Sequence, residues 1–238
     1  MIYCPSYKRS NSAISHKLFD KKNFYYVIRE SEKDDYTKLG NNLLIIPESA
    51  QVKDISTTRN WILKNRISDY IIQVDDDLKS IIWLLKREKK YLNIKEIERM
   101  IENGFQMAED CKAGLWGINC QSDPKFYQIN RPFSFSNIVL GPFSGILDPS
   151  IVYDERLPLK EDYDLFLNHL NKHRVVLRFN MFSYDCDHFK LEGGCQTYRN
   201  KNDELNQIEL LKKKWGSEII KDNWRHKDSV NVTIKRPI

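Results

Sequence analysis

The sequence predicts an α/β domain with a mostly parallel central sheet flanked by helices. Three observations predict it. Short apolar, β-branched or aromatic runs at residues 2–4, 24–28, 43–46 and 70–74 have the length and character of buried strands. Helical patterns at 32–39 and about 56–65 lie between the later runs, which is βαβ alternation. The run at 70–74 stops abruptly in Asp75, Asp76 and Asp77. That places three acids at the strand end where open α/β sheets bind ligands.

Composition sets the class. The chain has 238 residues, 41% hydrophobic and 30% charged, which suits one globular domain with a substantial core. The longest apolar runs fall well short of the roughly 20 residues that a membrane span requires. The start, Met1-Ile-Tyr-Cys-Pro5, has no basic region leading into an apolar stretch, so no secretory signal is expected. Five cysteines without a Cys-x-x-Cys pair fit reduced thiols in a cytoplasm. The net charge is +5, and residues 79–99 hold seven Lys/Arg against three Glu. This excess permits an anionic partner, either a sugar nucleotide or nucleic acid, and equally describes a solvated basic surface.

Residues 2–4 form a strand that breaks at Pro5. Ser6, Tyr7, Lys8, Arg9 and Ser10 follow as a polar loop on the same edge as the three aspartates. Lys8 and Arg9 there suit a phosphate and Tyr7 a base; the plainer reading is a solvent-facing loop. Ser56 or Thr57 caps a helix running to about residue 65, with Ile55, Trp61, Ile62 and Ile67 as its buried stripe. Arg59, in its first turns, either points to the nucleotide region or lies on the surface. Along an extended chain Asp75 and Asp77 face one way and Asp76 the other. Two carboxylates converging at a buried strand end suit a hard cation, Mg²⁺ or Mn²⁺. The alternative is an acidic turn left in water.

Residues 79–86 carry a buried strand or turn, and the run Lys86-Arg-Glu-Lys-Lys90 is exposed. Residues 94–111 are an amphipathic helix with Ile94, Ile97, Met100, Ile101, Phe105 and Ala108 on one side. A short strand spans 115–119. Gly141-Pro-Phe-Ser-Gly145 reads as a tight turn. Pro158 precedes a helix whose first turn holds Glu161, Asp162 and Asp164, acids that favour the helix dipole. One or two last strands lie at 174–179 and 181–184, followed by Asp187, His188 and the Gly193-Gly194 pair, which would let backbone approach a phosphate. A helix at 203–215 ends at Gly216, and a basic tail with Trp224 closes the chain. Repeats and clear linkers are absent, so a single domain is expected.

Taken together, Tyr3-Cys-Pro-Ser-Tyr-Lys-Arg9, the helix bearing Thr57-Thr-Arg-Asn60 and the strand end Val74-Asp-Asp-Asp77 resemble a GT-A (Rossmann-like) glycosyltransferase. Adding Gly114-Leu-Trp-Gly-Ile-Asn119 and Leu159-Lys-Glu-Asp-Tyr-Asp164, residues 1–200 resemble the TET/JBP-associated glycosyltransferases, which include phage DNA-modifying enzymes and relatives of the base J glucosyltransferase. The resemblance implies a first half, about 1–110, that holds a nucleotide sugar and metal. An acceptor half follows at about 111–200, then a C-terminal helix and tail at 201–238. It implies that Pro5, Ser6, Tyr7, Lys8, Arg9, Arg59, Asp75 and Asp76 contact the nucleotide sugar, most simply a UDP-sugar. Asp75 and Asp77, completed by His188, would bind Mn²⁺ or Mg²⁺. Trp116, Phe143, Ser144, Gly145 and Glu161 would build the acceptor side, Gly193 and Gly194 would face the diphosphate, and Asp162 would be the catalytic base. The implied acceptor is the hydroxyl of a hydroxymethylpyrimidine in DNA, with inversion at the sugar. A surface glycan or protein acceptor, a nucleotidyltransferase and a non-catalytic nucleic-acid-binding module are the rival readings. The first loop lacks the glycine that a nucleotidyltransferase usually carries there.

Overall fold

Apolar runs too short to be helices pair side by side to build the sheet. The computed structural model describes residues 1–186, 192–223 and 231–235. Its strands are β1 (Ile2–Pro5), β2 (Phe24–Arg29), β3 (Asn42–Ile46), β4 (Ile71–Val74), β5 (Leu78–Leu85), β6 (Glu88–Tyr91), β7 (Leu115–Asn119), β8 (Phe133–Ser134), β9 (Phe143–Ile146), β10 (Leu177–Cys186), β11 (Ile220–Asn223) and β12 (Asn231–Ile234). The helices are α1 (Lys33–Thr37), α2 (Ile55–Asn65), α3 (Ile94–Asp110), α4 (Glu161–His173) and α5 (Lys201–Trp215). The main sheet has the order β3-β2-β1-β4-β9-β7-β10-β5-β6, with β8 pairing beside β10. The first four strands are parallel, as the βαβ alternation predicts. The second half is mixed: β9 runs antiparallel between β4 and β7, and β5 and β6 run antiparallel beyond β10. One apolar cluster packs on each face of the sheet.

The sharpest departure from expectation is at residues 141–145. Only Gly141 and Pro142 turn; Phe143–Ile146 is the central strand β9, buried along its length. Its small residues make room for Trp116, which is fully buried and ringed by Phe105, Phe143 and Phe179. A Cβ placed on Gly104 or Gly145 would collide with the Trp116 indole. The glycine thus serves close packing in the middle of a sheet. Trp116, Phe143, Ser144 and Gly145, expected on the acceptor side, are core residues for this reason.

Other corrections are local. Asp54, not Ser56 or Thr57, caps α2: its carboxylate accepts from Thr57 N at 3.0 Å, and Thr57 Oγ1 accepts from Asp54 N at 2.9 Å. Residues 177–186 form one continuous strand. In the exposed run 86–90, Lys86 and Arg87 make a hairpin turn, with Arg87 at a left-handed φ of 69°, and Glu88–Lys90 begin β6. Ile67, expected in the buried stripe of α2, lies past the end of the helix and is exposed.

At the end of the sheet remote from the aspartates, α4 buries His169 completely against Gly114. Neither ring nitrogen of His169 has a hydrogen-bond partner among the described residues. Its ring stacks on His173, whose Nε2 lies 2.8 Å from Asp148. Burial, reinforced by the neighbouring His173, pushes the His169 pKa down to about 3. The unfolded chain therefore binds a proton below about pH 6.5 that the folded chain refuses, so stability falls as pH drops from there toward 3. From about pH 8 to pH 5 the loss from this residue is expected to be about 2 kcal/mol. Denaturant unfolding of His169→Phe should show a correspondingly flatter pH dependence; an unchanged slope would remove His169 as its source.

Candidate active site

Where β4 ends, the chain turns, and the three aspartates take three different environments. Asp75 Oδ1 accepts from Arg59 Nη2 at 2.7 Å. Arg59, only 3% exposed, also donates to Glu161 Oε1 at 3.0 Å and to Gly141 O at 3.3 Å. Burial alone would lower the Arg59 pKa, but Tyr153, Asp75 and Glu161 together raise it, so it carries a permanent charge. Asp76 turns inward to Arg9 Nη1 at 2.7 Å and to the Ser6 hydroxyl. Asp77 has no cation in contact among the described residues; its Oδ1 is buried and unpartnered. Burial first, then the charges of Asp75 and Asp76, push its pKa up to about 7 against the pull of Arg9. The expected simple alternation does not describe this turn. Asp75 and Asp77 remain electrostatic neighbours, but the described residues contain no ready-made cluster of three metal-ligating side chains.

The first loop is tied down more firmly than its composition suggests. Lys8 takes a left-handed φ of 56°, and its N–H donates to Glu32 at 2.6 Å. Tyr7 lies under the Arg29 guanidinium, 4.1 Å from its ring centre. Arg9 donates to the carbonyls of Glu192 at 3.0 Å and Gly193 at 3.3 Å, and Gly194 N donates to Tyr7 O at 2.9 Å. A Cβ on Gly193 would lie 2.7 Å from Lys8 O, and both Gly193 and Gly194 have positive φ. The glycine pair therefore fits the chain against its own first loop; only Gly194 reaches the cavity. Lys8 and Gly193 stand outside the cavity wall.

Asp162 opens α4 and faces the same space. Its Oδ2 accepts from Gly141 N at 3.1 Å, and its Oδ1 from Tyr163 N at 2.8 Å. Next to it, burial and then the Asp162 charge push the Glu161 pKa up to about 8, with Arg59 opposing. A cavity of about 950 Å³ joins these groups: Pro5, Ser6, Tyr7, Arg9, Arg59, Asp75, Asp76, Asp77, Glu161, Asp162 and Gly194 all line it. His188 and Asp187 lie outside the described residues, as do Trp224, the rest of its basic segment and Arg236.

The model of the TET-Associated Glycosyltransferase family matches residues 1–194. The chain belongs to this family. No curated protein matches the sequence. Among solved structures, S. aureus TarS 1–349 in complex with UDP-GlcNAc is similar with a TM-score of 0.55 at 13% identity. That match covers 89% of this chain and 64% of the TarS fragment. The glucosyl-3-phosphoglycerate synthase of Mycobacterium tuberculosis, solved with Mn²⁺, UDP-glucose and glycerol 3-phosphate, is similar with a TM-score of 0.52 at 10% identity. It matches over 94% of this chain and 83% of its own. These likenesses establish the GT-A fold. No helix among the described residues is long and apolar enough to cross a membrane.

In this family member the cavity wall also includes residues that carried no sequence signal of their own. Lys53, Cys120, Tyr184, Cys195, Tyr198 and Arg199 come from loops and strand ends that periodicity does not mark. Tyr198 holds the turn at Cys195 over the start of α2: its hydroxyl lies 3.0 Å from Cys195 Sγ and accepts from Ile55 N at 3.3 Å. Lys160, within the Leu159–Asp164 motif, also lines the wall. It is buried, 3.8 Å from Glu204, and burial lowers its pKa. A buried lysine beside two motif acids is the one signal among these that a closer reading of that motif would have found.

Proposed function

We propose that the protein moves a sugar from a UDP-linked donor to the hydroxymethyl oxygen of a modified pyrimidine in DNA. The observation that carries this reading is the single cavity in which the aspartates after β4 and the acids opening α4 meet, with Arg59 bonded to both groups. The donor class is supported by the UDP-sugars in the two similar enzymes, and the acceptor class by the family's association with TET.

The residues present fit a divalent cation. The buried Asp77 Oδ1 has no partner among the described residues, and an anionic oxygen left so is an open ligand position. Asp77, with Asp75 beside it, would hold Mn²⁺ or Mg²⁺. The metal would supply positive charge against the leaving diphosphate. Asp75 is steadied by Arg59, and Asp76 keeps Arg9 and the first loop in place beneath the nucleotide. Asp162, fixed by two backbone N–H groups, is positioned to take the proton from the acceptor hydroxyl as it attacks the anomeric carbon and inverts it. A pyrimidine that reaches Asp162 in a duplex would leave the base stack.

Calorimetric titration with UDP, with and without Mn²⁺, tests the donor, and mass spectrometry of hydroxymethylated DNA incubated with UDP-sugars tests the transfer. Asp162→Asn is expected to lower kcat by about 10²–10⁴-fold while UDP binding stays at the wild-type level. Normal turnover in that variant would remove Asp162 as the base. Metal-dependent UDP binding without transfer to any hydroxymethylated DNA would overturn the acceptor.

A further inference from the structure

The run Lys86-Arg-Glu-Lys-Lys90 and the exposed loop at 121–131 have no part in the cavity chemistry. The sheet brings them together. Strand β8 pairs with β10 at Phe179 and Arg178, and β5 pairs with the same edge of β10 from Phe182 onward. The end of the β5–β6 hairpin therefore follows the end of the loop along one sheet edge. Lys89 spans the gap, with its Nζ 3.5 Å from Ser122 Oγ and 3.9 Å from Asp185. The loop itself departs from the cavity wall at Cys120 and Gln121. Hairpin, loop and cavity mouth thus form one continuous surface.

Its charge is predominantly positive: Lys86, Arg87, Lys89, Lys90, Lys125 and Arg131 stand against two acids, Glu88 and Asp123. Lys86, Arg87, Lys125 and Arg131 are exposed, and no carboxylate among the described residues ion-pairs with them. Phe126 and Ile129, between Lys125 and Arg131, are 69% and 67% exposed. Trp83 stands partly exposed on the hairpin with Lys90 over its ring at 5.8 Å. Unpaired cations flanking solvent-exposed apolar and aromatic side chains match a polymer with anionic phosphates and flat base faces. A folded acidic protein would satisfy the cations but would offer Phe126 and Ile129 no repeated flat partner.

We propose that the β5–β6 hairpin and the loop at 121–131 are the surface on which DNA docks to present its base to the cavity. This rests on the DNA-acceptor reading above. Each lysine or arginine that meets a phosphate adds about 0.9 to the salt slope of binding, so the contribution is measurable residue by residue.

The test is fluorescence anisotropy of a labelled hydroxymethylated DNA with the full chain, across a salt series. Lys86→Glu and Lys125→Glu take one exposed cation from each segment. Lys33→Glu, an exposed charge reversal on α1 beside the opposite edge strand β3, is the control for net charge. Each of the first two is expected to weaken binding at least about tenfold and to lower the salt slope by about one, while Lys33→Glu stays within about threefold. UDP binding with Mn²⁺ should be the same in all of them. Equal weakening by Lys33→Glu, or wild-type binding by both test variants, would overturn the docking surface and leave the acceptor reading standing. A wild-type chain that binds no DNA at any salt while still binding UDP would overturn both.

Discussion

Replacing Asp77 with asparagine is expected to abolish metal-dependent UDP binding and to lower transfer at least about a thousandfold. Of the three adjacent aspartates, Asp75 is neutralised by Arg59 and Asp76 by Arg9. Asp77 alone among them sits buried with an unpartnered oxygen, its charge raised in energy by burial and by its two neighbours. A site in that condition is relieved by a cation, and the relief is the binding energy. Asparagine keeps the shape and one oxygen but removes the charge. A metal's stabilisation of developing charge is worth several kcal/mol, and about 4 kcal/mol corresponds to three powers of ten in rate. Because the substitution also removes an uncompensated buried charge, the variant should melt no lower than the wild type. Thermal unfolding beside UDP titration separates the two effects. Full Mn²⁺-dependent UDP binding by Asp77→Asn would end the assignment.

Much of this site was readable before the structure, for a physical reason. A strand buried on both faces tolerates acids only at its end, so Val74-Asp-Asp-Asp77 marks the strand boundary, which is also an edge of the cavity. Acids opening α4 were equally visible, since helix starts have their own chemistry. What sequence could not show was the partner of each acid. Arg9 to Asp76 spans 67 residues and Arg59 to Glu161 spans 102, and no local pattern encodes such pairs. Arg59 stands out in its helix, but its direction is not legible from the sequence: it joins the two acidic motifs to each other. The same limit explains Gly145 and Trp116. A glycine reads as a turn from its neighbours in sequence, while its use here is set by an indole from a paired strand. The Gly193-Gly194 pair signals close backbone approach, and the backbone it approaches belongs to the first loop.

Loss of Arg59 should be the most destabilising single change at this site. Its guanidinium lies between Asp75 and Glu161, donating to each, with Tyr153 at 5.7 Å from its carbon centre. Arg59→Ala leaves two carboxylates without their cation, one of them fully enclosed. Removing one partner of a buried ion pair costs about 3–5 kcal/mol, far more than a surface pair. Part of that cost depends on pH. Glu161 titrates near 8 in the fold against 4.5 in its ordinary state, because burial disfavours its charge. A carboxylate with a raised folded pKa is tolerated when protonated and costs stability as pH climbs above its unfolded value. Without Arg59 the Glu161 pKa rises further, so the deficit of Arg59→Ala should widen as pH climbs through about 8 and beyond, where the wild-type carboxyl ionises beside its arginine and the variant's does not. Arg59→Lys should recover part of the stability but little activity, since one ammonium cannot reproduce the fork that reaches both acids. Adding Glu161→Gln to Arg59→Ala should restore stability at alkaline pH by removing the carboxyl whose ionisation the fold opposes. Urea unfolding of these variants at about pH 7 and about pH 9, on either side of the folded Glu161 value, is the measurement. A cost below about 1 kcal/mol for Arg59→Ala, with no pH dependence, would mean that the two acidic motifs are held together by something other than this arginine.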